Sequence, residues 1–233
     1  MRIFFRGFNF SQDGPGNRLV YHLQGCNMRC PWCSNPEGMP FEGGRDHTVD
    51  EIVTECISSR PLFFSGGGVT FTGGEATMQH TELIEVLKRL REQGIHTALE
   101  TNGTSPHLPE IQQYVNYLMM DFKHFDADAF KRFTGVEINT LCHNYEYFQT
   151  LGRQLHVRIP LINHVNADDP VGFAAYFSHF DNANTVFEFL AYHEYGKSKW
   201  TSEYTVTDGF VSDGQIEAFK KTFAEYGLKT VNT

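Results

Sequence analysis

The sequence has few cysteines, no long apolar run and no excess of basic residues, and each absence excludes a class of protein. Five cysteines in 233 residues are too few for a disulfide scaffold, and three of them lie within eight residues, which indicates a metal site in a reducing compartment. No apolar run approaches the ~18 residues that span a bilayer. Arg6 interrupts the N-terminal apolar segment, which makes it a poor signal peptide. We therefore expect a cytoplasmic protein that does not enter a membrane.

The charge balance is acidic and uneven along the chain. There are 28 acidic and 19 basic residues, a formal net charge of −9, which does not suit nonspecific binding to nucleic acid. Hydrophobic residues make up 40% of the chain and are spread along it, so disorder is not expected. Residues 1–35 differ, because they hold four arginines against one aspartate. These arginines are either solvated surface residues or a basic rim used by an acidic partner.

Apolar runs of strand type alternate with helical patterns, and no linker divides the chain. We therefore expect residues 1–233 to form a single domain. The predicted strands are 19–23, 69–72, 97–99, 117–120, 157–162 and 185–190. The predicted helices are 48–59, 80–93, 107–114, 126–133, 143–151, 170–180 and 213–226. Short continuous apolar strands separated by helices predict an α/β fold with parallel strands, either a partial barrel or a doubly wound sheet.

Polar residues follow the predicted strands at the point where each strand ends. Such residues often do no more than terminate a strand, but here five positions share the same place, just after the end of a predicted strand. In parallel barrels, the carboxyl ends of the strands and their loops build the active site. The positions are Cys26, Gly74 with Glu75, Glu100 with Thr101, Asp121 with Lys123, and His193, and Arg158 lies within a strand.

Cys26, Cys30 and Cys33 form a C-x3-C-x2-C run, a spacing that lets one loop place three thiolates around one centre. Structural zinc normally takes four protein ligands, and His22 or His47 are the candidates for a fourth. Iron–sulfur clusters also usually take four cysteine thiolates. Three cysteines would leave one iron open to an exogenous ligand.

A glycine-rich segment, SGGGVTFTGGE at residues 65–75, brackets the second predicted strand. Glycine lets the backbone approach a ligand closely. With an aromatic residue, Trp32, before the third cysteine, and with a GGE triplet at residues 73–75, the chain resembles the radical S-adenosylmethionine (SAM) superfamily. Further motifs narrow the resemblance to glycyl-radical-enzyme activating enzymes of the pyruvate formate-lyase type. These motifs are at residues 13–16, 100–103, 119–123 and 192–200.

The resemblance implies a partial (β/α)6 TIM-like barrel with parallel strands, one 4Fe–4S cluster on Cys26, Cys30 and Cys33, and SAM bound at the remaining iron. The residues implied to contact the adenosyl group of SAM are Trp32, Cys33, Ser34 and Asn35, with His193 at the adenine. Those implied to contact the methionine group are Gly73, Gly74 and Glu75, and Thr101 is also implied to bind the cofactor. Asp121, Phe122 and Lys123 are implied to lie near the ribose, and Arg158 at a carboxylate. A possible monovalent cation site matches Glu100, Thr101, Met119 and Asp121. The residues implied to hold the partner protein are Asp13 and Arg18.

The implied reaction starts when reduced flavodoxin or ferredoxin delivers one electron. SAM is then cleaved to methionine and a 5′-deoxyadenosyl radical, which abstracts a hydrogen from a glycine Cα of a partner glycyl radical enzyme. The 39 residues between Cys33 and Gly73 hold no ferredoxin-like insertion, so no auxiliary cluster is expected. Ser34 and Glu100 depart from the histidine and aspartate of the relatives. The alternatives are a radical SAM enzyme acting on a small molecule, such as a deazapurine ring-contracting synthase, and a non-catalytic zinc-binding module.

Overall fold

The computed structural model describes residues 1–10 and 12–231. The chain divides into two compact units. The first comprises Met1–Asn27 and Asn35–Met119, and the second comprises Met28–Ser34 and the residues from Met120 onward. That residues 1–233 form a single domain stays a prediction.

The first unit is built on strands β1 (Arg2–Asn9), β2 (Arg18–Leu23), β3 (Arg45–Asp46), β4 (Gly68–Gly73) and β5 (Thr97–Thr101), in the order β3-β1-β2-β4-β5. Strand β6 (Tyr117–Asp121) follows β5 in the strand order, and its last two residues belong to the second unit. Strand β2 pairs in parallel with β4, and β4 with β5. Strand β1 is antiparallel to both β2 and β3.

Three α-helices accompany these strands: α1 (Val49–Ser58), α2 (His80–Glu92) and α3 (Leu108–Ile111). Helix α1 begins with a capping box, in which Thr48 and Glu51 satisfy each other's backbone amides and so stabilise the first turn. Helix α2 buries Leu83, Leu87 and Leu90, which recur at the spacing of one helical face. The apolar face of each helix therefore fixes which side meets the core.

The second unit contains strands β7 (Leu155–Leu161), β8 (Thr185–Ala191) and β9 (Thr230–Val231), which pair in parallel in that order. Its helices are α4 (Ala127–Thr134), α5 (Asn139–Gln149), α6 (Pro170–Phe177) and α7 (Asp213–Glu225). The core is aromatic, and edge-on ring pairs such as Phe122–Phe177 and Phe187–Phe223, with centroids 4.8 and 5.1 Å apart, fill it. Such pairs add stability beyond the area that they bury, which gives the many phenylalanines a structural role.

The predicted α/β class with parallel strands is confirmed, and each predicted strand and helix is found, although the second half of the predicted helix 107–114 is a 3-10 turn at Gln112–Tyr114. Strands β3 and β9 each have one neighbour in the strand order, which agrees with a partial rather than a closed barrel. Strand β1 was not predicted because Phe5 and Phe8 are exposed on it, so its apolar residues mark no single buried face. Helix α5 begins four residues earlier than predicted, because buried Leu141 extends its apolar face. Within the described residues, no helix has the length and apolar character needed to cross a membrane.

Candidate active site

The three cysteines of the motif are divided between the units: Cys26 lies in the first, and Cys30 and Cys33 lie in the second. Cys26 and Cys30 are buried, and Cys33 is partly buried. The amide of Cys26 donates to the carbonyl of Met39 at 3.0 Å. Among residues 1–10 and 12–231, no group of three His, Cys, Asp or Glu side chains is assembled as for a metal ion. A shared centre on these cysteines therefore rests on the spacing of the motif.

The glycine-rich segment after β4 lies tightly against the chain that precedes Cys26. A Cβ atom added at Gly74 would come within 3.0 Å of the carbonyl oxygens of Gly38 and Gly25, so a larger residue does not fit. Gly73 has a φ of +122°, a backbone conformation that favours glycine. The amide of Glu75 donates to the carbonyl of Gly25 at 2.8 Å. The GGE triplet thus fixes the loop after β4 against the end of β2.

The carboxylate of Glu75 is buried and accepts four hydrogen bonds from its own unit. Oε1 accepts from the Thr77 amide at 3.1 Å, the Thr77 hydroxyl at 2.6 Å and the Thr101 hydroxyl at 2.8 Å. Oε2 accepts from the Asn102 amide at 2.6 Å. Burial raises the pKa of Glu75, and these hydrogen bonds oppose the rise. The side chain therefore joins the loops after β4 and β5.

Three further predicted residues of the first unit, Glu100, Met119 and Asn35, contribute to its packing or hydrogen bonding. Glu100 accepts a hydrogen bond from the Thr72 hydroxyl at 2.7 Å, and Met119 is buried. Asn35 precedes a short 3-10 turn at Pro36–Gly38, and its carbonyl accepts from the Gly38 amide at 3.0 Å.

Arg18 is fully buried, and its guanidinium group donates to the Thr70 hydroxyl at 2.5 Å and to the carbonyls of Pro15 and Val69 at 2.9 and 2.7 Å. Burial lowers the pKa of Arg18 to about 10, and nearby Asp13 opposes this change. The Thr70 hydroxyl also donates to the Asp13 carbonyl at 2.6 Å. The Arg18 side chain therefore stays inside the protein, where it holds the turn at residues 13–16 through the Pro15 carbonyl.

In the second unit, Asp121 lies between two cations. Its Oδ1 accepts from Arg158 Nε at 2.9 Å, and its Oδ2 accepts from Lys123 Nζ at 2.8 Å. Burial opposes ionisation of Asp121, but the charges of Arg158 and Lys123 prevail and lower its pKa to about 2. The three side chains, predicted from separate motifs, are brought together as one charge cluster with a net charge of about +1.

Cys30, in the cysteine loop (residues 26–34), is close enough to this charge cluster for the charge of Lys123 to affect its pKa. Burial raises the pKa of the Cys30 thiol to about 12, and the Lys123 charge opposes the rise. Trp32 is buried, with its ring centroid 5.8 Å from that of Phe133. The Phe122 ring is fully buried in the aromatic core, so any contact of this residue with a ligand has to come from its main chain.

The segment at residues 193–200 contacts the end of the cysteine loop. Trp200 Nε1 donates to the Cys33 carbonyl at 3.1 Å, and Lys199 Nζ donates to the Ser34 carbonyl at 3.2 Å. A Cβ atom at Gly196 would come within 3.0 Å of the Ser34 backbone. His193 stacks on Tyr195 with centroids 4.3 Å apart, and burial lowers its pKa. No site role was predicted for Trp200 or Lys199, whose partners are more than 160 residues away in sequence.

The family model described as the radical SAM superfamily matches residues 20–177, which is more than half of the chain. The chain belongs to the radical SAM superfamily. The predicted enzyme class is therefore confirmed over the non-catalytic zinc-binding module. This radical SAM protein is similar to curated proteins named pyruvate formate-lyase-activating enzyme. The one from Clostridium pasteurianum is 35% identical over 193 residues, which cover 81% of this chain and 80% of the relative. The one from Staphylococcus aureus strain USA300 is 36% identical over 200 residues, with 81% and 79% covered.

Solved structures share the fold of this chain. A domain of pyruvate-formate lyase-activating enzyme from Bacteroides vulgatus matches with a TM-score of 0.61 and 26% identity, and it covers 72% of this chain and 99% of that domain. Streptococcus suis SuiB bound to precursor peptide SuiA matches with a TM-score of 0.71 at 14% identity, over 92% of this chain and 48% of SuiB. At that identity, the likeness to SuiB shows the fold alone.

The residues present fit the cofactors that the radical SAM family implies. Three thiols at the motif spacing are a donor set suited to an iron–sulfur cluster. The cationic cluster around Asp121 suits a ligand that carries a carboxylate. The backbone at Gly73 and Gly74 is packed against the backbone of Leu23, Gly25 and Gly38, which holds this loop in one position.

Proposed function

We propose that this radical SAM enzyme activates a glycyl radical enzyme of the pyruvate formate-lyase type by abstracting a hydrogen atom from a glycine Cα of that partner. The observation that carries the proposal is the similarity to named pyruvate formate-lyase-activating enzymes over about four-fifths of both chains. The proposed cofactors are one 4Fe–4S cluster held by Cys26, Cys30 and Cys33, and SAM at the remaining iron. When bound, they supply a one-electron cleavage that yields methionine and a 5′-deoxyadenosyl radical.

The chain's own groups would bind, orient and shield these ligands. Trp32, Cys33, Ser34, Asn35 and His193 would border the adenosyl group. The main chain at Gly73 and Gly74 would contact the methionine group, and Thr101, which donates to Glu75, would belong to the same part of the site.

Arg158 and Lys123 carry the positive charge that a carboxylate needs, and Asp121 orients both of them through the contacts described above. Such preoriented charge–charge hydrogen bonds are stronger than neutral ones. A monovalent cation at Glu100, Thr101, Met119 and Asp121 stays a prediction.

The turn at residues 13–16 is proposed to contact the partner protein. Asp13 is partly exposed, and its carbonyl is held by Thr70. Arg18 acts as a positioning residue in this proposal, because it is fully buried and holds the turn through Pro15. A rigid turn loses less conformational freedom when a partner binds.

The proposed electron donor is a reduced flavodoxin or ferredoxin whose acidic surface meets exposed cations beside the cysteine loop. Arg29 is exposed, and its amide donates to the Thr134 carbonyl at 2.8 Å. Exposed Arg132 lies 4.6 Å above the ring of Phe133, and exposed Lys199 contacts Ser34. These three cations are exposed in the second unit of a chain whose net charge is −9, and exposed positive charge attracts an acidic partner.

The test compares Cys30→Ala with Cys142→Ala in anaerobically reconstituted protein. Cys142 is a cysteine of the second unit outside the motif, whose sulfur accepts a hydrogen bond from Tyr176. Each variant is mixed with SAM, reductant and pyruvate formate-lyase. The expected result is loss of 5′-deoxyadenosine and of the glycyl radical signal in Cys30→Ala only. Turnover retained in Cys30→Ala would refute the cluster assignment, and deoxyadenosine without a glycyl radical would refute the partner.

A further inference from the structure

Three side chains of the first unit, Asn27, Asn102 and Thr104, form a closed ring of hydrogen bonds directly after Cys26. Asn27 Nδ2 donates to Thr104 Oγ1 at 2.8 Å. Thr104 Oγ1 donates to Asn102 Oδ1 at 2.7 Å, and Asn102 Nδ2 donates to Asn27 Oδ1 at 2.9 Å. Each side chain donates once and accepts once around the ring. We call this arrangement the amide ring.

The amide ring is anchored to the backbone on both sides. The Thr104 amide donates to Asn102 Oδ1 at 3.0 Å, so the loop after β5 is closed on itself. The Asn102 amide donates to Glu75 Oε2 at 2.6 Å, and the Glu75 amide donates to the Gly25 carbonyl at 2.8 Å. The loops after β2, β4 and β5 are therefore tied into one network that begins and ends beside Cys26.

On its other side, Cys26 is held by backbone hydrogen bonds. The amides of Gly25 and Cys26 donate to the carbonyls of Gly38 and Met39 at 2.8 and 3.0 Å. The backbone contacts fix the chain as it enters Cys26, and the amide ring fixes it as it leaves. A network in which every polar group has its hydrogen-bond partner holds a single geometry, whereas a buried network with missing partners is costly. Asn102 and Thr104 are both buried.

We propose that the amide ring is a positioning device for Cys26, with Asn27 and Thr104 as its positioning residues. The C-x3-C-x2-C spacing does not require asparagine at residue 27, since an apolar residue there would keep the spacing and lose the ring. The ring presets the direction in which the first cysteine is presented, so that the bound cluster is retained longer. This inference rests on the proposed function, because that function assigns Cys26 as a ligand.

The test measures the rate at which a chelator removes iron from the reconstituted protein under anaerobic conditions. Asn27→Leu and Thr104→Val each open the ring and remove two of its three hydrogen bonds. Each lost hydrogen bond is worth about 1 kcal/mol, so iron release should be up to about thirtyfold faster in each variant. Thr104→Ser keeps the hydroxyl and should release iron at the wild-type rate.

The matched control is Asn116→Ala. Asn116 also uses its side-chain amide to bridge backbone in the first unit, accepting from the Thr97 amide at 2.9 Å. Thr97 begins β5 and Thr101 ends it, so this bridge lies about 13 Å from the end of the strand that leads to Asn102. Asn116→Ala should lower the stability of the cluster-free chain without changing iron release.

The outcomes separate this inference from the proposed function. Faster iron release in Asn27→Leu and Thr104→Val, with Thr104→Ser and Asn116→Ala unchanged, supports the positioning role. Wild-type rates in Asn27→Leu and Thr104→Val would overturn it while the cluster assignment stands. A wild-type protein that takes up no iron and sulfide would overturn both, because Cys26 would then have no cluster to hold.

Discussion

Replacement of Asp121 by asparagine tests how much stability the charge cluster of the second unit contributes. In the ionised carboxylate, one oxygen accepts from Arg158 and the other from Lys123, and the three side chains are 12–21% exposed. A pKa of about 2 in place of the ordinary 3.8 corresponds to about 2 kcal/mol in favour of the folded protein at neutral pH. The neutral asparagine also leaves two neighbouring cations without a counter-charge, and breaking a buried pair in this way typically costs about 3–5 kcal/mol.

The measurement is urea unfolding of the cluster-free chain at pH 7, followed by circular dichroism. Asp50→Asn is the control, because Asp50 pairs with Arg89 at 2.6 Å but is 82% exposed, and exposed pairs contribute less than about 1 kcal/mol. We expect Asp121→Asn to cost at least about 2 kcal/mol.

The sign of the pH dependence follows from the lowered pKa. Stability from ionised Asp121 is fully present above about pH 4 and is lost as the pH falls towards 2. The difference between wild type and Asp121→Asn should therefore shrink over that range. Equal losses of unfolding free energy in the Asp121 and Asp50 variants at pH 7 would show that the charge cluster contributes no more than an exposed ion pair.

Further predictions concern packing, hydrogen bonding and the electron donor. Gly74→Ala should lower the free energy of unfolding in urea titrations, whereas Gly214→Ala should not, because a Cβ at Gly74 clashes with backbone while the atom nearest to a Cβ at Gly214, Ser212 Oγ, is 3.8 Å away. Trp200→Phe should cost about 1 kcal/mol in the same assay, since it removes the hydrogen bond to the Cys33 carbonyl; an unchanged midpoint would contradict this. Arg132→Glu should slow 5′-deoxyadenosine formation with flavodoxin but not with dithionite, and equal slowing with both would refute the docking role.

The fold was predictable because its main signals are local. Continuous apolar runs such as residues 157–162 and 185–190 mark buried parallel strands, and the helices show their apolar faces in the sequence. The strands that were missed carry no such signal: β3 and β9 are two residues long, and β1 exposes Phe5 and Phe8. Their pairing is decided by neighbouring strands and not by their own composition.

The candidate site was predictable to the extent that its residues lie in short motifs. Within each motif, whether the cysteines, the GGE triplet or residues 119–123, the members are only a few positions apart in the sequence. Contacts between distant residues gave no such signal, as with Cys33 and Trp200, which are 167 positions apart. The amide ring joins positions 75 and 77 residues apart. Which amide meets which hydroxyl depends on loop geometry that only the folded chain defines.

Cys26, Cys30 and Cys33 are proposed to hold a redox-active cluster that acts on SAM. The most direct measurement is the electron paramagnetic resonance spectrum of reduced, anaerobically reconstituted protein with and without SAM, with metal and sulfide analysis of the same sample. We predict a 4Fe–4S signal that changes when SAM is added, together with formation of 5′-deoxyadenosine. A colourless sample with about one zinc per chain, no sulfide and no signal would show that the three cysteines hold structural zinc instead.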